Sequence, residues 1–151
     1  MNVIIWLNNL ELKAFTEQDA LDYCQINDIN PDNITVLSLF NNKLTDILGV
    51  KLFKNLNELN LFNNLITDIS VFKYLTELKK LFLGNNKIKD ISAIQYLNNL
   101  EILNIEDLKL ESNQIQYINS LKNLKYLYCY NGFKDMSVTK QLNKNINIKI
   151  K

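Results

Sequence analysis

An asparagine returns every 22 residues in one phase with leucines, and no other feature of this chain limits its fold as tightly. Asn42, Asn64 and Asn86 are 22 residues apart. Ahead of each lie paired leucines at fixed offsets: Leu37 and Leu39, Leu59 and Leu61, Leu81 and Leu83. Behind each comes an Asp-Ile pair: Asp46-Ile47, Asp68-Ile69 and Asp90-Ile91. A period held in register through three copies points to stacked units, each contacting only its neighbours.

The spacing within a copy has a physical meaning. Two leucines two positions apart lie on one face of a strand, and the residue between them points the other way. One strand per copy stacks into a parallel sheet. The return path buries Ile47 and Leu52, then Ile69, Phe72 and Leu75, then Ile91, Ile94 and Leu97. A spacing of three suggests a helical or 3-10 turn. Burying one such side chain contributes roughly 1.5–3 kcal/mol, but no copy can bury its own apolar face alone, so stability comes from stacking. The recurrent asparagine follows from the turn after the strand. That turn leaves backbone groups pointing inward, and an amide both donates and accepts. Asn42, Asn64 and Asn86 are therefore expected to be buried, and Asn41, Asn63 and Asn85 more exposed.

The pattern L-x-x-L-x-L-x-x-N-x-I resembles the leucine-rich-repeat family. The 22-residue period with Asp-Ile after the asparagine is similar to the internalin type and the protein phosphatase-1 regulatory type. The resemblance covers residues 34–136 and implies an α/β fold: a right-handed solenoid or horseshoe arc, with a parallel concave sheet and short helical or 3-10 convex segments. About five repeats are expected over 34–136, between an N-terminal cap at 1–33 and a C-terminal cap or edge strand at 137–151.

Two copies depart from the pattern. In the fourth, Leu103-Asn104-Ile105 starts on schedule, but the next asparagine is Asn113, 27 residues after Asn86. This reads as a five-residue insertion forming a loop, with Leu108-Lys109-Leu110 as an alternative strand pair. Its acids Glu106, Asp107 and Glu111 read as a solvated acidic bulge rather than a Ca²⁺ site. In the fifth, Cys129 stands at a leucine position, the convex side reads as three residues shorter, Gly132 or Asn131 takes the asparagine place, and Asp135-Met136 matches Asp-Ile. Residues 146–151 alternate as an edge strand with Asn147, Lys149 and Lys151 outward. At the front, Thr16 and Asp19 form a capping-box pattern for a helix at about 17–27, ended by Asn30-Pro31. Its apolar side is expected from Leu21, Cys24 and either Tyr23 or Ile26. Residues 1–12 read as an extra strand or hairpin.

Composition narrows the function. The chain has 17 Lys, no Arg and no His. Arg is the usual bidentate ligand for phosphates and bases, and its absence at net charge +1 argues against nucleic acid. Missing His, a missing phosphate loop and missing nucleophile motifs argue against an enzyme and against a cofactor. No apolar run reaches the roughly 18 residues of a membrane-spanning helix. No secretory signal is read at the start, and Cys24 and Cys129 read as buried thiols. Together these imply an intracellular, cytoplasmic protein unless a signal peptide has been removed. Residues 1–33 carry net charge −5 and residues 121–151 net +6, so a monomer or a weak, salt-sensitive dimer is expected.

The strand register also predicts a surface. Residues flanking the inward leucines face the concave side. The candidate binding residues are Phe40, Glu58, Asn60, Phe62, Lys80, Phe82, Tyr126, Tyr128 and Tyr130. Six aromatics on one side of a sheet suggest a surface for a protein partner. The implied function is a non-catalytic interaction scaffold. The alternatives are a structural or self-associating protein, and an extracellular adhesin or receptor-type repeat fragment, as the internalin-like repeat implies.

Overall fold

The computed structural model describes residues 3–7 and 13–150. Seven strands form one sheet in chain order: β1 (Val3–Trp6), β2 (Ile34–Ser38), β3 (Glu58–Asn60), β4 (Lys80–Phe82), β5 (Ile102–Asn104), β6 (Tyr126–Tyr128) and β7 (Asn147–Lys149). Every neighbouring pair is parallel. Parallel neighbours require a crossover between strands. Here each crossover is one convex segment, and the result is a leucine-rich-repeat solenoid with the sheet on its concave side.

The inward leucines align strand to strand. Ile5, Leu37, Leu59, Leu81, Leu103, Leu127 and Ile148 are consecutive partners across the sheet. The first six are buried and Ile148 is half-buried. A single apolar core runs from Ile5 to Ile146.

Between strands, 3-10 turns cover Leu48–Leu52, Ser70–Tyr74 and Ser92–Tyr96. Their buried residues are spaced by three: Ile47, Val50 and Phe53; Ile69, Phe72 and Leu75; Ile91, Ile94 and Leu97. The first copy thus obeys the same offsets as the others, and Leu52, expected in the core, is only half-buried because Phe53 takes that place. The recurrent aspartates start these turns. Asp46, Asp68 and Asp90 accept from the backbone N–H two residues on, at Leu48 (2.8 Å), Ser70 (2.7 Å) and Ser92 (2.7 Å).

The buried asparagines stitch the copies together. Asn64 Oδ1 accepts from the N–H of Asn42 (3.1 Å) and of Leu44 (2.9 Å), while its Nδ2 donates to the carbonyls of Leu39 (2.8 Å) and Leu61 (3.0 Å). Asn86 repeats this one copy later, accepting from Ile66 N (3.0 Å) and donating to Leu61 O (2.9 Å) and Leu83 O (2.8 Å). Asn42 Nδ2 reaches Leu7 O at 2.6 Å, so the column begins just past the first strand. A second column runs outside it. Asn41, Asn63 and Asn85 hold left-handed backbone (φ 60°, 59° and 53°), a conformation asparagine tolerates better than most residues. Asn63 Nδ2 donates to Asn41 Oδ1, and Asn85 Nδ2 to Asn63 Oδ1.

The fourth copy corrects the expected insertion. Leu103 pairs with Leu81, which selects Leu103-Asn104-Ile105 as the strand register over Leu108-Lys109-Leu110. Asp107 then takes the left-handed position (φ 56°), 22 residues after Asn85, and Leu108, 1% exposed, occupies the asparagine site. Asn113 is not part of the column, and no five-residue loop leaves the strand. Leu103 to Leu127 spans 24 residues, and the extra length is convex. There a short 3-10 turn, Ser112–Gln114, leads into α2 (Ile115–Asn119), which buries Ile115 and Ile118. In the next copy Gly132 takes the asparagine site and Asn131 (φ 47°) the outer one. Leu127 to Ile148 spans 21 residues, one short of the period rather than three.

The front of the chain is a further coil of the solenoid. β1 pairs with β2, and α1 (Glu17–Ile26) takes the convex place. Thr16 caps α1 with a full capping box to Asp19. The buried helix residues are Ala20 and Cys24; of the two alternatives Tyr23 packs against the core and Ile26 is 82% exposed, whereas Leu21, expected inward, is 45% exposed. The approach to the next turn leaves no room for a side chain at Gly49. Gly49 N donates to Phe15 O (2.8 Å), and a Cβ on Gly49 would stand 2.2 Å from Thr16 O. The helix ends at Ile26, where Asn27 Nδ2 bonds Tyr23 O (2.7 Å). Asn30 and Pro31 instead open a separate 3-10 turn. The remainder of the strand or hairpin expected over 1–12, and Lys151, lie outside the described residues. Cys24 and Cys129 are both buried and unpaired.

Candidate protein-binding face

Three columns of side chains cover the concave face. The first contains Ile4, Val36, Glu58, Lys80, Ile102, Tyr126 and Asn147. The second contains Trp6, Ser38, Asn60, Phe82, Asn104, Tyr128 and Lys149. Phe40, Phe62, Gly84, Glu106 and Tyr130 form the third. Beyond the strands proper, the N–H groups of Asn41, Asn63, Asn85 and Asp107 bond the carbonyls of Phe62, Gly84, Glu106 and Tyr130.

The nine candidate residues thus share one face, but they are not equally exposed. Phe40 (37%), Tyr126 (41%) and Tyr130 (49%) are exposed, whereas Phe62, Phe82 and Tyr128 are half-buried. Phe40 and Phe62 stack with ring centroids 6.1 Å apart at 27°. Phe62 also leans toward the C-terminal end over Gly84, where the column has no side chain. The tyrosines stand on β6 and just beyond it.

The charges of the face are largely met within it. Lys80 Nζ lies 3.0 Å from Glu58 Oε2. Asn104 Nδ2 donates to Glu106 Oε2 at 2.8 Å, and Asn104 Oδ1 accepts from Glu106 N at 3.0 Å. Asn60 Oδ1 accepts from Phe62 N at 3.0 Å. At the sheet's lower rim Lys125 hydrogen-bonds Glu101 and holds its carboxyl below the usual carboxylate range.

The sequence reading left out the front of the face. Ile4 and Trp6 are its most exposed apolar side chains, at 58% and 65%. The spacing of Ile5 and Leu7 around Trp6 matches that of Leu37 and Leu39 around Ser38, and that match was the available signal. Ser38, between Trp6 and Asn60, is 1% exposed, and its hydroxyl has no hydrogen-bond partner among the described residues. The convex side carries a smaller apolar row of Leu52, Tyr74 and Tyr96, with Lys73 Nζ 5.1 Å from the Tyr74 ring centroid. Among the described residues, no helix is long and apolar enough to cross a membrane, and no group of three metal-binding side chains converges.

Comparison with known proteins agrees with this architecture. Two leucine-rich-repeat family models match, a two-copy model at residues 32–74 and a second at residues 54–107. Among solved structures, internalin C2 of Listeria monocytogenes is similar at 30% identity and a TM-score of 0.66, over 80% of this chain and 53% of that one. A leucine-rich-repeat protein of Leptospira interrogans is similar at 25% identity and a TM-score of 0.71, over 93% of this chain and 35% of that one. The chain therefore spans about half the length of the first and about a third of the second. The comparison with curated proteins finds no match. Leucine-rich-repeat domains generally mediate protein–protein interaction. With its repeat period, parallel sheet, asparagine column and matching family models, the chain belongs to the leucine-rich-repeat family.

Proposed function

We propose that this chain is a non-catalytic scaffold that binds a protein partner through its concave face. The observation that carries the reading is the run of aromatic and aliphatic side chains on that face. Ile4, Trp6, Phe40, Tyr126 and Tyr130 are each more than a third exposed, and Phe62, Phe82 and Tyr128 fill the space between. Such surfaces are uncommon on the outside of a folded chain unless something covers them. A few residues carry most of the energy at protein interfaces, Trp and Tyr are enriched among them, and a partner covering these rings gains affinity while leaving the repeat intact. The buried leucines and asparagines build the arc and have no direct part in binding.

The test is affinity capture with crosslinking from the native host, comparing the chain with the double variant Phe62→Ser, Tyr128→Ser. The reading expects a partner captured by the wild-type chain and lost with the variant, while the variant, though less stable, still unfolds in one cooperative transition above the capture temperature. Undiminished capture by a folded variant overturns it.

A further inference from the structure

The dimensions of the concave face limit what can lie on it. Seven strands make six steps, which at about 4.8 Å per step gives a length of about 29 Å. The outer two columns are four residues apart along the strand, which gives a width of about 13 Å. The flat area is therefore about 400 Å². An occupant confined to this face is slender, no wider than a single helix of about 10–12 Å or one extended segment.

Backbone chemistry separates those two. Each strand of the sheet's interior already pairs with a neighbour on both sides, so the face offers its occupant side chains and no ladder of free backbone groups. An extended segment laid over Trp6, Phe40, Phe62 and Tyr128 would cover its own N–H and C=O groups without partners, at about 1–3 kcal/mol for each one left unpaired. A helix arrives with those groups already bonded.

Charge sets the chemistry of the side that docks. The charged side chains on the described face are Glu58, Lys80, Glu106 and Lys149. Glu58 and Lys80 neutralise each other at 3.0 Å, and Asn104 bonds the Glu106 carboxylate at 2.8 Å. The front of the face, from Ile4 and Trp6 to Phe40, carries no charge among the described residues. Lys149 stands apart on β7, the last strand, so from Ile4 to Tyr130 a charged ligand would break internal pairs or cover aromatic rings with hydrated groups, and an apolar one does neither.

We propose that the occupant is a single amphipathic helix of a partner protein, docked along the arc by an uncharged apolar face. The proposal rests on the concave face being the binding surface. Phe62 and Tyr128 are three strands and one column apart, about 14 Å along the arc and about 7 Å across it, so about 16 Å in all, or roughly 11 residues of helix. The two anchors should therefore lie about three helical turns apart, near positions i and i+11.

The test selects binders for the whole chain from two displayed libraries. One randomises one face of a stable 18-residue helix. The other is a linear library with proline at every third position, which cannot form a helix. Each binder is re-measured on the Phe62→Ser and Tyr128→Ser variants, after their melting curves confirm folding, and at 50 and 500 mM NaCl. The proposal expects helical binders with apolar anchors near i and i+11. They should weaken at least tenfold on either variant and change less than about threefold with salt. If binders that weaken on the variants come only from the proline library, or lose tenfold or more at high salt, the helix proposal fails while the concave reading stands. If no binder from either library weakens on the variants, both fail.

Discussion

The Phe62 ring lies over Gly84 so closely that a Cβ on Gly84 would stand 2.6 Å from its Cε2. The same Cβ would meet Asn104 Oδ1 at 2.6 Å. The missing side chain therefore leaves room over Gly84, just past β4, for a ring from the segment after β3 and an amide from β5. Gly84→Ala is expected to displace the Phe62 ring and loosen its stack on Phe40, destabilising the fold by about 1–2 kcal/mol. Denaturant unfolding measures the loss. A variant as stable as the wild type would show that the ring is not held there.

The inner and outer asparagine columns should respond differently to substitution. Asn64 satisfies four backbone groups in a buried site, so Asn64→Ala is expected to cost at least about 3 kcal/mol. Asn63 is more exposed and holds φ at 59°, where glycine is at ease and alanine is not. Asn63→Gly should be within about 0.5 kcal/mol of wild type and Asn63→Ala about 1 kcal/mol worse. Urea midpoints of the three variants decide the order.

Much of this fold was legible because the repeat reports on neighbours. Leucines two apart set the strand, and residues three apart set the 3-10 turns, so β2 to β4 follow from spacing alone. The reading failed where residue identity changed but place did not. It followed the letter Asn to Asn113, while the backbone put Leu108 in the asparagine site and moved the added length to α2. An apolar side chain fills that buried place by packing, without the bonds that an amide makes. Leu21 misled for a different reason. The helix turns Ala20 and Cys24 to the core, and ten residues carry too few apolar positions to fix that face from spacing. The concave columns were legible from β2 onward. Trp6 was missed because Ile5 and Leu7 keep the leucine spacing without the asparagine and the Asp-Ile pair that mark the other copies.

Burial holds the Cys129 thiol protonated well past its ordinary range, with its pKa pushed up to about 11, and nearby Glu106 acts in the same direction. The unfolded thiol ionises near 9.0, so between about pH 9 and 11 the unfolded chain binds fewer protons and is favoured. This contribution is intact below pH 9 and is lost as pH rises through that window, amounting to roughly 1–3 kcal/mol. The difference in unfolding free energy between wild type and Cys129→Val should shift by that amount between pH 8 and 11. A pH-independent difference contradicts the assignment.

The Glu58–Lys80 pair should matter little for stability, because the Lys80 side chain is 48% exposed and that of Glu58 is 29% exposed. Lys80→Gln is expected to change unfolding free energy by less than about 1 kcal/mol. A larger loss by thermal or urea unfolding would mean that the pair anchors the sheet as well as neutralising the face.

The central claim is that partners meet the concave aromatics and not the convex ones. Site-specific photo-crosslinking reads this directly. A benzophenone side chain is placed in turn at Phe62 and Tyr128 on the concave face, and at Tyr74 and Tyr96 on the convex side. Irradiation in extract of the native host is expected to give the same partner adduct from Phe62 and Tyr128, and none from Tyr74 or Tyr96. Adducts from the convex positions, with none from the concave pair, would contradict it.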